Sequence, residues 1–373
     1  MRRAAPLLTS IIFALVVLGL VMLYSTSSAR TVTPHFYLQR QASWLLVAVL
    51  AGVLVAYLDY HVWQRLVYPL AFVTILLLVL VLIPGIGTEI NGSSRWLRFG
   101  GMGFQPSELA KLLVIVGMSV YMSRFGHRSG EFKLGFFYPI LAMGAVCALV
   151  ALEPDYGTTV MVGLVGMAVM FAGGTRLFYV LGGGTLGMSF IAVVVYFNRN
   201  RLGRILAFLY PDENPVQAYH LNQSLSSFYL GGALGVGLGN SIQKRFYLPE
   251  AHTDFILAII AEELGLIATM LVLLLFVGYF LCGMTISARA PDPFGRLLGF
   301  GVTMMICMQA AINMVVVTGL GPTKGLPLPF ISYGGSSLVL SIMMSAVLLS
   351  IARTTLRSDE GTLRAIKDRG RHV

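Results

Sequence analysis

The chain has 373 residues, of which 57% are hydrophobic and only 11% are charged, and its formal net charge is +10 at pH 7. Soluble domains carry about 25% charged residues, so this composition excludes an ordinary soluble protein. The basic residues flank apolar segments and form no stripe interleaved with aromatic residues on a soluble domain, which argues against a nucleic-acid partner.

The apolar residues form blocks of roughly 17 to 25 residues, which is the length that a helix needs to cross a bilayer. Transmembrane β-strands would instead be short and would alternate apolar with polar residues. We therefore predict an all-α integral membrane protein with about ten transmembrane helices. The predicted spans start near Leu7, Ala42, Leu66, Ser107, Phe136, Thr158, Leu177, Asp254, Phe294 and Gly335.

Basic residues indicate how the spans are oriented. Most Lys and Arg lie in the N-terminus, the C-terminal tail and the short loops "DYHVWQR", "SRFGHRSGEFK", "GGTR" and "SARAPDPFGR". Cytoplasmic loops carry such an excess, so both termini are predicted to be cytoplasmic. The N-terminus resembles a signal peptide, but its apolar run is long and no small-x-small site closes it, so it is predicted to be the first span.

This orientation predicts one polytopic membrane domain at residues 1–353, followed by a basic cytoplasmic tail at residues 354–373. The longest non-spanning stretch, residues 198–253 between spans seven and eight, is then a large extracytoplasmic loop. Its glycine-rich part, "YHLNQSLSSFYLGGALGVGLGN", is moderately apolar and amphipathic. Such backbone is tolerated at membrane depth only where protein or a wet cavity covers it, so we expect a cavity on the outer side.

Ionisable residues inside or at the edge of spans are costly, and each is therefore a candidate functional residue. In "QPSELAK", Pro106 suits the first turn of a helix, and Glu108 and Lys111 lie three residues apart on one face. Their charges can neutralise each other at the bilayer boundary. Two alternatives remain open: a structural ion pair that fixes two helices, or a pair that lines the outer cavity with Lys111 able to meet a phosphate.

Two further acidic motifs lie at the predicted outer ends of spans. In "EPDYGTT", Glu153 and Asp155 cap the turn into the sixth span, and Asp155 is a predicted N-cap. In "HTDF", Asp254 begins the eighth span, where it either caps the helix with help from the helix dipole or serves as a reactive carboxylate. His252 or Thr253 could supply the cap instead.

Glu262 and Glu263 lie roughly 12 Å further along the eighth span at 1.5 Å per residue. They are too deep to be solvated from outside. We therefore predict that they are polar partners inside the helix bundle and not catalytic groups.

The stretch "GPTKGLPLPFISYGGSS" separates the last two spans. Its prolines and glycines predict a rigid, irregular outer loop. Lys324, Ser332, Tyr333 and Ser336 offer hydrogen-bond donors there, which favours a loop that faces a ligand.

One outward cavity would then hold Asp254, the cations of Arg95, Lys111 and Lys324, and several hydroxyl groups. A carboxylate in such a cavity can take a proton from a hydroxyl, and the cations can receive a leaving phosphate. A lipid-linked sugar diphosphate has both parts, so this ligand class is compatible with the cavity.

Four motifs carry a resemblance to a known family: "YLPEAHTDFILAIIAEELG", "GPTKGLPLPFISYGGSS", "NGSSRWLRFGGMGFQPSELAK" and "EPDYGTTVMV". They resemble the SEDS family (shape, elongation, division and sporulation). The likeness runs from the first span to about Arg353, and it is greater to the cell-division branch than to the elongation or sporulation branches.

The resemblance implies a ten-helix inverting glycosyltransferase that polymerises lipid II into peptidoglycan strands at the outer face of the bacterial cytoplasmic membrane, at the division septum. It implies a class B penicillin-binding protein and division regulators as partners, beside membrane lipids. Asp254 matches the family's catalytic acidic residue and would act as a general base on the acceptor's 4-hydroxyl. No metal site is predicted; a divalent cation (Mg²⁺ or Mn²⁺) could share the phosphate charge, although no motif demands one.

The residues predicted to bind the substrate share a place near the outer ends of the spans. They are Glu108, Lys111, Arg95, Gln105, Asp155, His252, Thr253, Lys324, Ser332 and Tyr333.

Two other functions are compatible with part of this pattern. A transporter that flips lipid II would also hold intramembrane charges, but transporters often contain inverted repeats and none is visible in this sequence. A non-catalytic division scaffold would not need so many polar groups around one membrane cavity.

Overall fold

The computed structural model of the chain describes residues 1, 3–27, 36–90, 93–99 and 102–369. The strands are β1 (Thr88–Ile90), β2 (Ser93–Phe99) and β3 (Met102–Phe104). The α-helices are α1 (Ala4–Ser27), α2 (Phe36–Tyr57), α3 (Val62–Leu82), α4 (Pro106–Phe125), α5 (Tyr138–Leu152), α6 (Tyr156–Ala172), α7 (Leu177–Phe197), α8 (Arg199–Leu209), α9 (Pro215–Gly231), α10 (Ile256–Ala288), α11 (Pro293–Val317) and α12 (Gly335–Arg369).

Nine helices of the described chain are long and apolar enough to cross a membrane, and α6 is a shorter apolar helix. With α6 they account for the ten predicted spans, so the all-α membrane fold is confirmed. The predicted starts of the second and third spans are late, because polar turns such as "FYLQRQ" continue a helix beyond its apolar run. The remaining α8 and α9 form in the stretch that was predicted as an extracytoplasmic loop.

The centre of the bundle consists of α4, α11 and α12. In each of these helices, more than half of the apolar stretch is buried. In α7, none of the apolar stretch is buried. α12 continues as one helix to Arg369, so the proposed domain boundary at residue 353 falls inside a helix. Residues 370–373 of the proposed tail lie outside the described chain.

A small sheet joins α3 to α4. β1 pairs antiparallel with β2, and β2 pairs antiparallel with β3. The sequence predicted only a connecting stretch here, because the strands are short and two of them have only three residues. The sheet places Arg95 on β2 and Gln105 directly after β3, at the same end of the bundle as the start of α4.

Helix α10 is broken at Gly265, which has φ 78° and ψ −176°. This backbone conformation is essentially restricted to glycine. The break frees backbone groups, and the glycine-rich segment after α9 binds them: the Leu266 N–H donates to the Gly232 carbonyl, and the Val236 N–H donates to the Glu262 carbonyl, both at 2.9 Å. Irregular backbone is tolerated at this depth because neighbouring backbone satisfies it.

The segment between α11 and α12, residues 318–334, folds back into the bundle. The side chain of Gln41 on α2 donates to the Ser332 carbonyl at 3.2 Å. At the preceding residue, a Cβ atom at Gly19 of α1 would lie only 2.8 Å from the Ile331 Cα. The predicted irregular loop is therefore packed against α1 and α2, as unpaired backbone in a membrane requires.

Candidate functional site

Asp254 lies two residues before the start of α10. Phe255 occupies the N-cap position, and no side chain of the described residues caps the helix. Asp254 is therefore not a helix cap, which was one of its two predicted roles. Its backbone carbonyl accepts a hydrogen bond from Asn313 of α11 at 2.7 Å. Its carboxylate accepts no hydrogen bond from any described residue.

Burial and neighbouring charges set the protonation of this carboxylate. The pKa of Asp254 is raised to about 7, first because burial disfavours the ionised form and then because Glu250 carries a like charge. The Arg204 charge opposes this rise in pKa. A base with a pKa near the working pH combines a substantial ionised fraction with useful basicity, so Asp254 is suited to general-base chemistry.

The wall beside Asp254 is formed by the 318–334 segment. A Cβ atom at Gly325 would lie 2.7 Å from Asp254 Oδ2, so only glycine lets the loop approach this closely. Asn313 also donates to the Leu326 carbonyl at 2.8 Å and thereby fixes the loop. The neighbouring Lys324 is half-buried, burial lowers its pKa, and its amine forms no hydrogen bond or ion pair within the described chain.

Glu108 and Lys111 form the predicted ion pair on α4. Lys111 Nζ lies 2.6 Å from Glu108 Oε1 and 3.0 Å from Gln309 Oε1 of α11. Lys111 is 1% exposed and Glu108 is 3% exposed. Gln309 in turn donates to the Pro327 carbonyl at 2.8 Å. The pair therefore fixes α4 to α11 and to the loop beside Asp254, which favours the structural alternative.

Arg95, Gln105 and Asp155 meet at the turn between α5 and α6. Arg95 Nε donates to the Glu153 carbonyl at 3.1 Å and its NH2 group donates to the Pro154 carbonyl at 2.5 Å. Asp155 accepts from the Gln105 amide at 3.3 Å, and it also accepts from the first turn of α6. The predicted N-cap is therefore present, and the same carboxylate orients Gln105.

Glu153 is fully buried in this turn, and neither of its carboxylate oxygens has a hydrogen-bond partner in the part of the chain that the structure describes. Its pKa is raised to about 8, first by burial and then by the charge of Asp155, against the opposing charge of Arg95. The side chain is therefore largely protonated at pH 7. It is neutral where a charge would be most costly.

His252, Thr253, Ser332 and Tyr333 form one contact between the start of α10 and the loop. The His252 ring stacks on Tyr37 of α2 with centroids 3.9 Å apart, and Tyr333 meets Tyr37 edge-on at 5.0 Å. Ser332 Oγ donates to the Thr253 carbonyl at 2.6 Å. The Ser332 hydroxyl therefore holds the backbone next to Asp254, while the two rings remain half-buried beside it.

Arg201 and Arg204 of α8 were missed in the sequence. Arg201 donates to the Pro154 carbonyl at 3.1 Å, the same acceptor that Arg95 uses. Arg204 is exposed, and its charge lowers the pKa of Asp254. Their spacing of three residues in "RNRLGR" places both on one face of a helix, which is the signal that could have identified them.

Glu262 and Glu263 have the structural role that was predicted. Glu262 accepts from Ser241 Oγ at 2.5 Å, and Glu263 lies 2.7 Å from both Lys244 Nζ and Ser25 Oγ. All of these side chains are buried. They join the part of α10 before Gly265 to α1 and to the segment after α9.

The described residues contain no group of three or more His, Cys, Asp or Glu side chains that could hold a metal ion. The divalent cation considered from the sequence stays a prediction.

The chain is similar to known proteins along most of its length. Residues 6–357 match the family of cell cycle proteins FtsW/RodA/SpoVE. It is 41% identical over 346 residues to the probable peptidoglycan glycosyltransferase FtsW of Trichlorobacter lovleyi, covering 91% of each chain. It is 42% identical over 357 residues to the protein of the same name from Nitrosomonas europaea, covering 92% of each.

Two solved structures share the fold. One belongs to a peptidoglycan synthase complex in which polymerization and crosslinking are coordinated; it matches with a TM-score of 0.77 at 27% identity, covering 93% of this chain and 97% of the other. The other is the rod shape determining protein RodA of Thermus thermophilus, with a TM-score of 0.69 at 27% identity, covering 93% and 95%.

Proposed function

Because the chain belongs to the FtsW/RodA/SpoVE family of cell cycle proteins, we propose that it is a peptidoglycan glycosyltransferase that polymerises lipid II for septal wall synthesis. The observation that carries the proposal is Asp254, whose carboxylate accepts no hydrogen bond within the described chain and has a pKa of about 7 in the field of Arg204 and Arg95. The names of the FtsW relatives support the same activity.

Asp254 takes the proton of the 4-hydroxyl of the acceptor sugar. That oxygen attacks the anomeric carbon of the donor, the bond to the lipid diphosphate breaks, and one displacement inverts the anomeric centre into a β-1,4 linkage. The diphosphate is a good leaving group, so the step needs a base but no strong general acid.

Arginines receive the charge of the leaving diphosphate. Arg95 and Arg201 share the Pro154 carbonyl and keep further N–H groups for a ligand, and guanidinium groups bind phosphate in bidentate fashion. Arg204 and Lys324 add charge near Asp254. Lys111 is already bound by two oxygens and positions the loop instead.

The remaining polar residues shape the mouth of the site. The half-buried rings of His252 and Tyr333 offer apolar faces with polar edges, which suits a sugar ring. The Gln105 amide nitrogen donates to Asp155 at 3.3 Å and to Ser107 at 2.9 Å, which leaves its carbonyl oxygen for a ligand.

A divalent cation, Mg²⁺ or Mn²⁺, would find one oxygen ligand at Asn313 Oδ1, a buried atom with no hydrogen-bond partner among the described residues. These hard cations prefer such ligands. A bound cation would supply part of the positive charge for the diphosphate.

The chain is proposed to work as a multi-pass protein of the bacterial cytoplasmic membrane with both termini in the cytoplasm. Its proposed partners are a class B penicillin-binding protein and division regulators at the septum. The likeness to a synthase complex that coordinates polymerization and crosslinking supports the first of these.

The test uses purified protein and fluorescent lipid II, with and without the cognate class B penicillin-binding protein whose transpeptidase serine is disabled. Wild type, Asp254→Ala and the control Asp212→Ala, which removes an exposed carboxylate from the segment between α8 and α9, are compared on a gel that resolves glycan strands. Polymer from wild type and Asp212→Ala alone is expected.

Substantial polymer from a clean Asp254→Ala preparation would remove Asp254 from the mechanism. An absence of polymer in every lane, together with lipid II translocation in liposomes, would replace the polymerase with a flippase.

A further inference from the structure

Helices α1 and α10 line an open cavity of about 620 Å³ at the end of the bundle that lies away from Asp254. The two helices run antiparallel: Ser25 at one end of α1 bonds Glu263, and further down a Cβ atom at Gly278 would lie 3.0 Å from Ile11. Beyond that point α1 begins and α10 ends, and the cavity lies between them. It shares no residue with the proposed catalytic site.

The walls of the cavity face the bilayer. Leu7 is 53% exposed and Leu281 is 59% exposed, and both line the cavity together with Cys282. Both leucines lie on helices that are long and apolar enough to span the membrane. The cavity therefore opens sideways into hydrocarbon, not only toward water.

Two arginines stand at the membrane boundary of the same cavity. Arg3, just before α1, and Arg289, just after α10, both line it and are both exposed. Within the described chain, neither guanidinium takes part in a hydrogen bond or an ion pair. Two like charges at one opening repel each other unless an anion lies between them.

We propose that this cavity binds an anionic phospholipid of the leaflet that covers the N-terminal end of α1, which is the predicted cytoplasmic leaflet. The headgroup phosphate lies between Arg3 and Arg289, and an acyl chain lies along Leu7 and Leu281. Basic pockets between transmembrane helices bind such headgroups. A soluble phosphate would leave the apolar walls unused, so the observations favour a lipid.

The test is lipid retention by the full-length purified protein, measured by native mass spectrometry with added phosphatidylglycerol, phosphatidylcholine or inorganic phosphate. Each basic residue near a membrane surface strengthens the attraction to an anionic lipid. We therefore expect Arg3→Gln or Arg289→Gln to weaken phosphatidylglycerol retention about fivefold, and the double variant to weaken it about 25-fold. The matched control is Arg65→Gln, which removes an exposed arginine near the start of α3, at the same end of the bundle. This variant is expected to retain phosphatidylglycerol as wild type does.

A second variant tests the apolar wall independently. Leu281→Trp fills the cavity and keeps both arginines, so it also lowers phosphatidylglycerol retention. Equal retention of the two lipids by wild type, full retention by the double arginine variant, an equal loss in Arg65→Gln, or displacement of the lipid by millimolar phosphate would each overturn the proposal. None of these readouts depends on polymerase activity.

Discussion

The buried pair of Glu108 and Lys111 makes a quantitative prediction. Lys111→Met removes the cation 2.6 Å from Glu108 Oε1 and leaves a carboxylate that is 3% exposed without its counter-charge. Removing one partner of a buried ion pair costs about 3–5 kcal/mol, because the remaining charge stays desolvated. The hydrogen bond to Gln309 is lost as well, so the upper part of that range is expected.

The double variant Glu108→Gln/Lys111→Met separates the charge from the packing. It leaves no unpaired buried charge, so its loss of unfolding free energy should be smaller than the sum of the two single losses by about 2–3 kcal/mol. The free energy of unfolding is measured in mixed detergent micelles. Lys133→Met, which removes an exposed lysine at the other end of the bundle, should stay within about 0.5 kcal/mol of wild type.

The same variants separate structure from substrate binding. If the pair matters only through the balance of buried charge, the double variant regains polymerisation as it regains stability, although it still lacks the bond to Gln309. The reasoning would be refuted if the double variant lost as much unfolding free energy as the two single variants together. It would also be refuted if Lys111→Met were as stable as wild type. A stable but inactive double variant would assign Lys111 a role beyond charge balance, either through its bond to Gln309 or through the substrate.

Three further predictions concern acidic groups and backbone. The rate of polymerisation should rise as pH increases through about 7, where Asp254 becomes the ionised base, and Glu250→Gln should move the midpoint to lower pH because it removes a like charge; an unmoved midpoint would exclude this coupling. The pKa of Glu153 rises from 4.5 to about 8 on folding, so ionisation lowers stability as pH rises between these values. Glu153→Gln should therefore gain stability over wild type from pH 5 to pH 8.5, on the order of 4 kcal/mol; a pH-independent difference in melting temperature would contradict this. Gly265→Ala should destabilise the protein by about 1–3 kcal/mol because only glycine adopts its backbone angles, whereas Gly144→Ala, with open space around it, should be nearly neutral; equal melting temperatures would show that the break tolerates a side chain.

Local features of the chain were predictable from the sequence. Apolar blocks of membrane length gave the spans, because the bilayer imposes that length on each of them separately. The spacing of Glu108 and Lys111 predicted their pairing, and the position of Asp155 before α6 predicted its cap. Each of these depends on residues within one or two helical turns.

Long-range contacts were not predictable in the same way. Arg201 reaches the Pro154 carbonyl across 47 positions, and Ser332 reaches the Thr253 carbonyl across 79. No local pattern encodes which helices become neighbours. The break at Gly265 was also hidden, because the apolar run continues on both sides of it and its cause is the close approach of the segment after α9.

That break divides α10 into two rods that respond to the membrane separately. The lower rod, which is the part of α10 after Gly265, tilts when the hydrocarbon layer thins or thickens. The upper rod, which is the part of α10 before Gly265, is bound through Glu262 and Glu263 to the segment after α9. We therefore expect tilting to pivot at Gly265 and to leave Asp254 in place, which would insulate the site from changes in the thickness of the surrounding bilayer.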